Sequence, residues 1–136
     1  MILRLLKSIL VGTVVYFLFG YLVFDLILGP FSIAHTTALP GFKKDDEQTL
    51  VWILFSCLAY ASLLSIILIN WQNEYRPGSG FAKGAVIGTL IACMTDFYWY
   101  GTSHFFNNFL PVAADIAAAG LTVGIMGLAI VWAGRK

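Results

Sequence analysis

Four apolar runs, at residues 9–28, 50–69, 81–100 and 112–132, alternate with short polar segments along this chain. Each run is about 20 residues long, enough at roughly 1.5 Å of rise per residue to cross the hydrocarbon core of a bilayer as a helix. The intervening segments carry helix breakers: Gly29-Pro30, Pro40-Gly41, Pro77-Gly78-Ser79-Gly80 and Pro111. The pattern predicts an all-α fold, a four-helix transmembrane bundle that makes a single integral membrane domain of residues 1–136. Only the short segment 101–110 joins the last two runs, so those helices are expected to be antiparallel neighbours.

Composition supports the same solvent. The chain is 60% apolar and 11% charged, against about 25% charged in soluble domains. With 136 residues it cannot hide that much apolar surface from water, so a lipid bilayer is the expected partner. A net charge of +1 with no basic stripe excludes nucleic acid as a partner. Cys57 and Cys93 sit far apart within apolar runs and read as packing residues, not as a disulfide or a metal pair. The first run follows Arg4 and Lys7, as a signal peptide would. Its apolar stretch is too long for one and no small-x-small cleavage site follows, so a retained helix is expected.

Orientation follows from the basic residues. Arg4, Lys7, Arg76, Lys83, Arg135 and Lys136 fall on the side of the N-terminus, and only Lys43 and Lys44 on the other, beside Asp45, Asp46 and Glu47. The positive-inside rule then places both termini in the cytoplasm. Trp71 and Trp132 mark the inner interface and Trp52 and Trp99 the outer one, as an aromatic belt does.

Helices in lipid associate through close packing of small residues. The third run offers Gly80, Gly84, Gly88 and Ala92 at four-residue spacing, with Asp96 as the next step. The fourth offers Gly120-x-x-x-Gly124, then Gly127. These grooves are expected to pack on each other within one chain, with a homo-oligomer seam as the second use of the same motif.

Asp25, Asp96 and Asp115 are carboxylates in apolar runs, where ionisable groups are costly and mark function. With both termini inside, each lies roughly 6–8 Å below the outer end of its helix, counted at the α-helical rise. His35, His104, Tyr100 and Asn107 belong to the same outer layer. Asp115, read as lying in the first turn of its helix, is favoured there by the macrodipole, whereas Asp25 and Asp96 are near C-termini that disfavour an anion. A ligand or ion site is therefore expected at Asp25, Asp96, Asp115, His35, His104, Tyr100 and Asn107, weighed against purely structural interhelical hydrogen bonds. The Asp/His donors suit a divalent cation such as Zn²⁺ or Mn²⁺, although no metal-ligand spacing supports one; no other cofactor is expected. No carboxylate in the inner half continues a path from this layer, which argues against a channel.

Other signals are weaker. Gly78-Ser79-Gly80-Phe81-Ala82-Lys83-Gly84 lacks the Gly-Lys-Ser/Thr ending of a phosphate loop and follows a membrane helix, not a strand. Arg76, Lys83 and the free amides opening the third helix could still hold a lipid phosphate. No nucleophile motif supports hydrolase chemistry, and His35 and His104 are expected in loops, unlike intramembrane haem ligands. Val11-Gly12-Thr13 before Asp25 and Ile87-Gly88-Thr89 before Asp96 form a faint internal echo of unequal spacing.

The pieces Val11-Gly12-Thr13, Phe19-Gly20-Tyr21-Leu22 with Asp25, Ala82-Lys83-Gly84-Ala85, Asp96 with Tyr100-Gly101-Thr102-Ser103, and Asp115-Ile116 span nearly the whole chain. In these the chain resembles a family of small bacterial four-helix integral membrane proteins of unknown function. The resemblance implies a bacterial inner membrane and one compact bundle, and it transfers no catalytic residue. The size also suits the membrane-bound glutathione and eicosanoid enzymes, whose arginine-asparagine-glutamate constellation is missing. The leading expectation is a non-enzymatic accessory or scaffold subunit with an outward-facing polar pocket for a small ligand or cation, associated with a membrane-protein partner or with itself. The alternative is a small secondary transporter or proton-coupled carrier that uses the intramembrane aspartates.

Overall fold

The computed structural model describes residues 1–41 and 47–135 of the chain. Lys43, Lys44, Asp45, Asp46 and Lys136, which entered the orientation count, lie outside the described residues. Helix α1 runs over Ile2–Gly20 and continues as a π-helical stretch, Tyr21–Ile27. A short helix α2, Gly29–His35, follows. Helix α3, Glu47–Ser65, likewise ends in a π-helical stretch, Ile66–Trp71, before α4, Pro77–Thr102, and α5, Phe109–Ala133. Among the described residues the only β pairing is a single bridge between Thr36 and Phe106. The fold is an all-α bundle, and four stretches, Ile2–Ile27, Thr49–Trp71, Pro77–Thr102 and Phe109–Ala133, are long and apolar enough to cross a membrane.

The boundaries differ from the hydropathy runs for physical reasons. Helix α1 starts at Ile2 rather than residue 9, because Arg4 and Lys7 are ordinary helix formers that interrupt hydropathy without interrupting the helix. Pro30 and Pro77 do not end helices but open them, since a first-turn N–H has no intrahelical partner to lose. Pro111 is tolerated in the first turn of α5 for the same reason. That helix begins at Phe109, capped by Asn108, whose side chain accepts a 2.9 Å hydrogen bond from the Leu110 amide. Asp115 is therefore in the second turn, not the first, and the macrodipole benefit expected for it is largely lost.

Helix α5 is the hub, packing on α4, α1 and α3. Its longest seam is with α4, whose buried residues are Gly80, Gly84, Gly88, Ala92 and Asp96. That ridge has no room for side chains. A Cβ at Gly84 would lie 2.6 Å from the Val123 carbonyl oxygen, and one at Gly80 would lie 2.7 Å from the Gly127 oxygen. From the other side, Gly120 faces Thr89 and Gly124 faces the ring of Phe81. Both small-residue motifs are thus used within the chain, bringing backbones close enough for dispersion to hold helices that gain little from leaving lipid.

The bundle is unevenly packed along its length. Ala61, Leu64, Leu68 and Ile69 of the second span meet Val123, Met126, Ile130 and Val131 of α5 in one core at the end that holds both chain termini. The Ser8 hydroxyl donates 3.0 Å to the Ile130 carbonyl inside it. Arg4 completes this end: its Nε donates 2.5 Å to the Gly134 carbonyl after α5, and its guanidinium lies 5.0 Å from the Tyr75 ring centre. At the opposite end the helices splay. Residues 50–56 of α3 are all exposed, on every face of two helical turns, so this part of α3 is only loosely covered by its neighbours.

Candidate functional site

The splayed end contains the carboxyl groups. On α4 the register that buries Gly80, Gly84, Gly88 and Ala92 also buries Asp96, which is 7% exposed and points at the first turns of α5. There it meets Asp115, the two carboxyls lying within hydrogen-bonding reach of each other. The Oδ2 atom of Asp96 is fully buried and finds no conventional donor among the described residues. Ionised carboxylates only accept hydrogen bonds, so two in contact require something positive between them, a proton or a cation.

One tyrosine, Tyr16, lies near Asp115, and a second, Tyr60, packs on Tyr16. Tyr16 of α1 interacts with Asp115, and also with Tyr60 and Cys57 of α3. The Tyr16 and Tyr60 rings meet edge to face, with centres 5.2 Å apart and planes at 79°. Tyr16 forms the inner end of a cleft of about 380 Å³ between α1 and α3. Phe17, Tyr21, Phe24 and Asp25 line it from α1, and Thr49, Ile53, Ser56 and Cys57 line it from α3. The sequence reasoning missed Tyr16, Tyr60, Thr49 and Ser56. A phenol in the middle of an apolar run was the available signal for the tyrosines, because a buried hydroxyl wants a polar neighbour.

The expected layer of three aspartates is not one cluster. Asp25 is exposed on the α1–α3 cleft, while Asp96 and Asp115 meet at the α4–α5 seam. Equal depth along a helix fixes height but not azimuth; Tyr16 lines the cleft and lies near enough to Asp115 to feel its charge. Among the described residues no three His, Cys, Asp or Glu side chains gather to hold a metal ion, so the divalent-cation expectation finds no ligand set there.

His35, His104 and Asn107 instead tie connecting segments together at the splayed end. His35 terminates α2 rather than lying in a loop; its Nδ1 is 2.8 Å from the Phe31 carbonyl and its ring stacks on Phe31 with centres 4.2 Å apart. The His35 carbonyl accepts from the Asn107 amide at 3.0 Å, and the Phe105 carbonyl accepts from the Thr37 amide at 2.8 Å. The Thr37 hydroxyl donates to the His104 carbonyl and lies 3.3 Å from the Asn107 side-chain oxygen. Tyr100 packs edge to face on Phe109 at 5.7 Å. These contacts pin the segment after α2 to the α4–α5 loop.

At the end that holds both termini, Lys83 is already paired with Glu74, Nζ to Oε2 being 2.6 Å. The Lys83 hydrogen bond, helped by the Arg76 amide and Ser79, holds the Glu74 carboxyl down to about 2 from 4.5. Of the two residues expected to bind lipid phosphate, Arg76 is exposed and Lys83 is engaged within the chain.

Compared with family models, curated proteins and solved structures, the chain matches none of them.

Proposed function

We propose that the chain is a small non-enzymatic accessory or scaffold subunit of a bacterial inner membrane, with both termini cytoplasmic and an outward-facing polar pocket for a small ligand or cation. The observation that carries this reading is the contrast between the two ends. One end is closed by the Gly80–Gly84–Gly88 seam and the apolar core around Met126, and the other opens into the α1–α3 cleft beside the Asp96–Asp115 pair. A blind pocket suits binding better than passage. Clustering of Arg4, Lys7, Arg76 and Arg135 at the closed end supports the cytoplasmic assignment. The family resemblance supports the bacterial inner membrane.

A proton-coupled carrier is the second reading, and a specific observation favours it: two carboxyls in contact, one buried and one half-buried, need a proton or cation between them. Purification of the full chain in mild detergent separates the two. An accessory subunit brings down the same membrane protein in fixed stoichiometry from wild type and from Asp96→Asn. A chain that purifies alone, with proton-driven uptake into vesicles that Asp96→Asn abolishes, would establish the carrier instead.

A further inference from the structure

The α1–α3 cleft combines aromatic side chains with one carboxyl group, Asp25, that has no basic partner among the described residues. Tyr16, Phe17, Tyr21 and Phe24 line it together with Asp25, and none of its described lining residues is Lys, Arg or His. Asp25 makes no hydrogen bond or ion pair with any described residue. An anion beside hydrocarbon with no counter-charge is costly, and the cost falls when a cation occupies the site. Aromatic faces attract cations in the same place, more strongly as water is excluded. Asp25 also sits inside the π-helical stretch Tyr21–Ile27, a winding that changes the angular positions of Phe24 and Asp25 and recurs at functional sites.

We propose that this cleft binds a small amphipathic organic cation, a protonated amine, quaternary ammonium or phosphonium ion with apolar substituents. Its charge lies against Asp25 and the rings, and its apolar part lies against Leu50 and Ile53 toward the lipid. The assignment names the ligand class of the outward-facing pocket proposed above and rests on that reading. A volume of about 380 Å³ suits one small molecule. A hard metal ion would need more oxygen ligands than one carboxylate supplies. A zwitterionic lipid headgroup would bring a phosphate beside Asp25, where none of the described lining residues is basic, so a free monocation is favoured over a lipid.

The test is equilibrium binding of tetraphenylphosphonium to the full chain in dodecylmaltoside. Saturable binding of one ion per chain is expected, weakened about tenfold or more by Asp25→Asn, as loss of a partly desolvated charge pair with its cation–π contacts implies. Tyr21→Leu should weaken it too, and neutral triphenylphosphine oxide should compete poorly. Asp25 and Tyr21 are exposed, so circular dichroism should show both variants folded. Absence of saturable binding, equal affinity in Asp25→Asn, or displacement by dihexanoylphosphatidylcholine would overturn the proposal. Binding lost in Asp96→Asn but retained in Asp25→Asn would move the ligand to the α4–α5 carboxyls, overturning the cleft assignment while leaving an outward pocket in place.

Discussion

Replacing Gly84 by alanine probes the seam on which the closed end depends. The added methyl carbon would lie 2.6 Å from the Val123 carbonyl oxygen and 3.3 Å from the Gly127 Cα. Ordinary contacts of this kind are about 3.5 Å or longer, so α4 and α5 must separate by about an ångström or deform. Both obstacles are backbone, so no rotamer change relieves them. Overpacking of this sort costs about 1–3 kcal/mol, while alanine regains up to about 1 kcal/mol of helix propensity. A net loss of up to about 2 kcal/mol against wild type, and of about 1–3 kcal/mol against an alanine placed where there is room, is expected on those two magnitudes, and Gly84→Val should lose more. Gly101 supplies the control, because a Cβ there meets nothing within 4 Å and alanine should be neutral or slightly stabilising. Reversible unfolding in mixed dodecylmaltoside and dodecyl sulfate reads both variants against wild type. If Gly84→Ala proves as stable as Gly101→Ala, the close backbone approach of α4 and α5 is refuted.

Three further outcomes follow from the same contacts. Asp96→Asn supplies a donor to the Asp115 carboxyl and should keep or raise stability, whereas Asp96→Leu should lower it by about 1–3 kcal/mol in the same unfolding assay, the usual cost of orphaning a buried polar group. Ser8→Ala removes the buried bond to the Ile130 carbonyl and should cost about 0.6 kcal/mol, typical of interhelical hydrogen bonds in membranes. The Glu74 carboxyl is held at about 2 against an ordinary 4.5, so its ion pair stabilises fully above about 4.5 and fades as pH falls toward 2. The melting difference between wild type and Glu74→Gln should therefore shrink over that interval, and a difference that grows on acidification would contradict the pairing.

The four spans were legible because about 20 apolar residues can do little else, and the α4 ridge was legible because a four-residue repeat of small residues defines a helix face. Asp96 falls on that ridge, so its burial against α5 follows from spacing alone. Asp25 shows where spacing stops: depth was readable, but whether it faced α4 or α3 depended on how α1 turns in the assembled bundle. The π-helical ends of α1 and α3 were equally invisible, since hydropathy is the same for both windings. The α2 helix was masked by Gly29-Pro30, which reads as a break and serves as a helix start.

One end of this bundle is sealed by its apolar core and the other is open. Impermeant maleimide labelling of intact cells tests it most directly, using Ser56→Cys in the cleft and Ser65→Cys in the buried core, each in a background with Cys57→Ser and Cys93→Ser. Ser56→Cys should react from outside and Ser65→Cys should stay unmodified. Modification of Ser65→Cys, or an unreactive Ser56→Cys in a folded protein, would contradict the account.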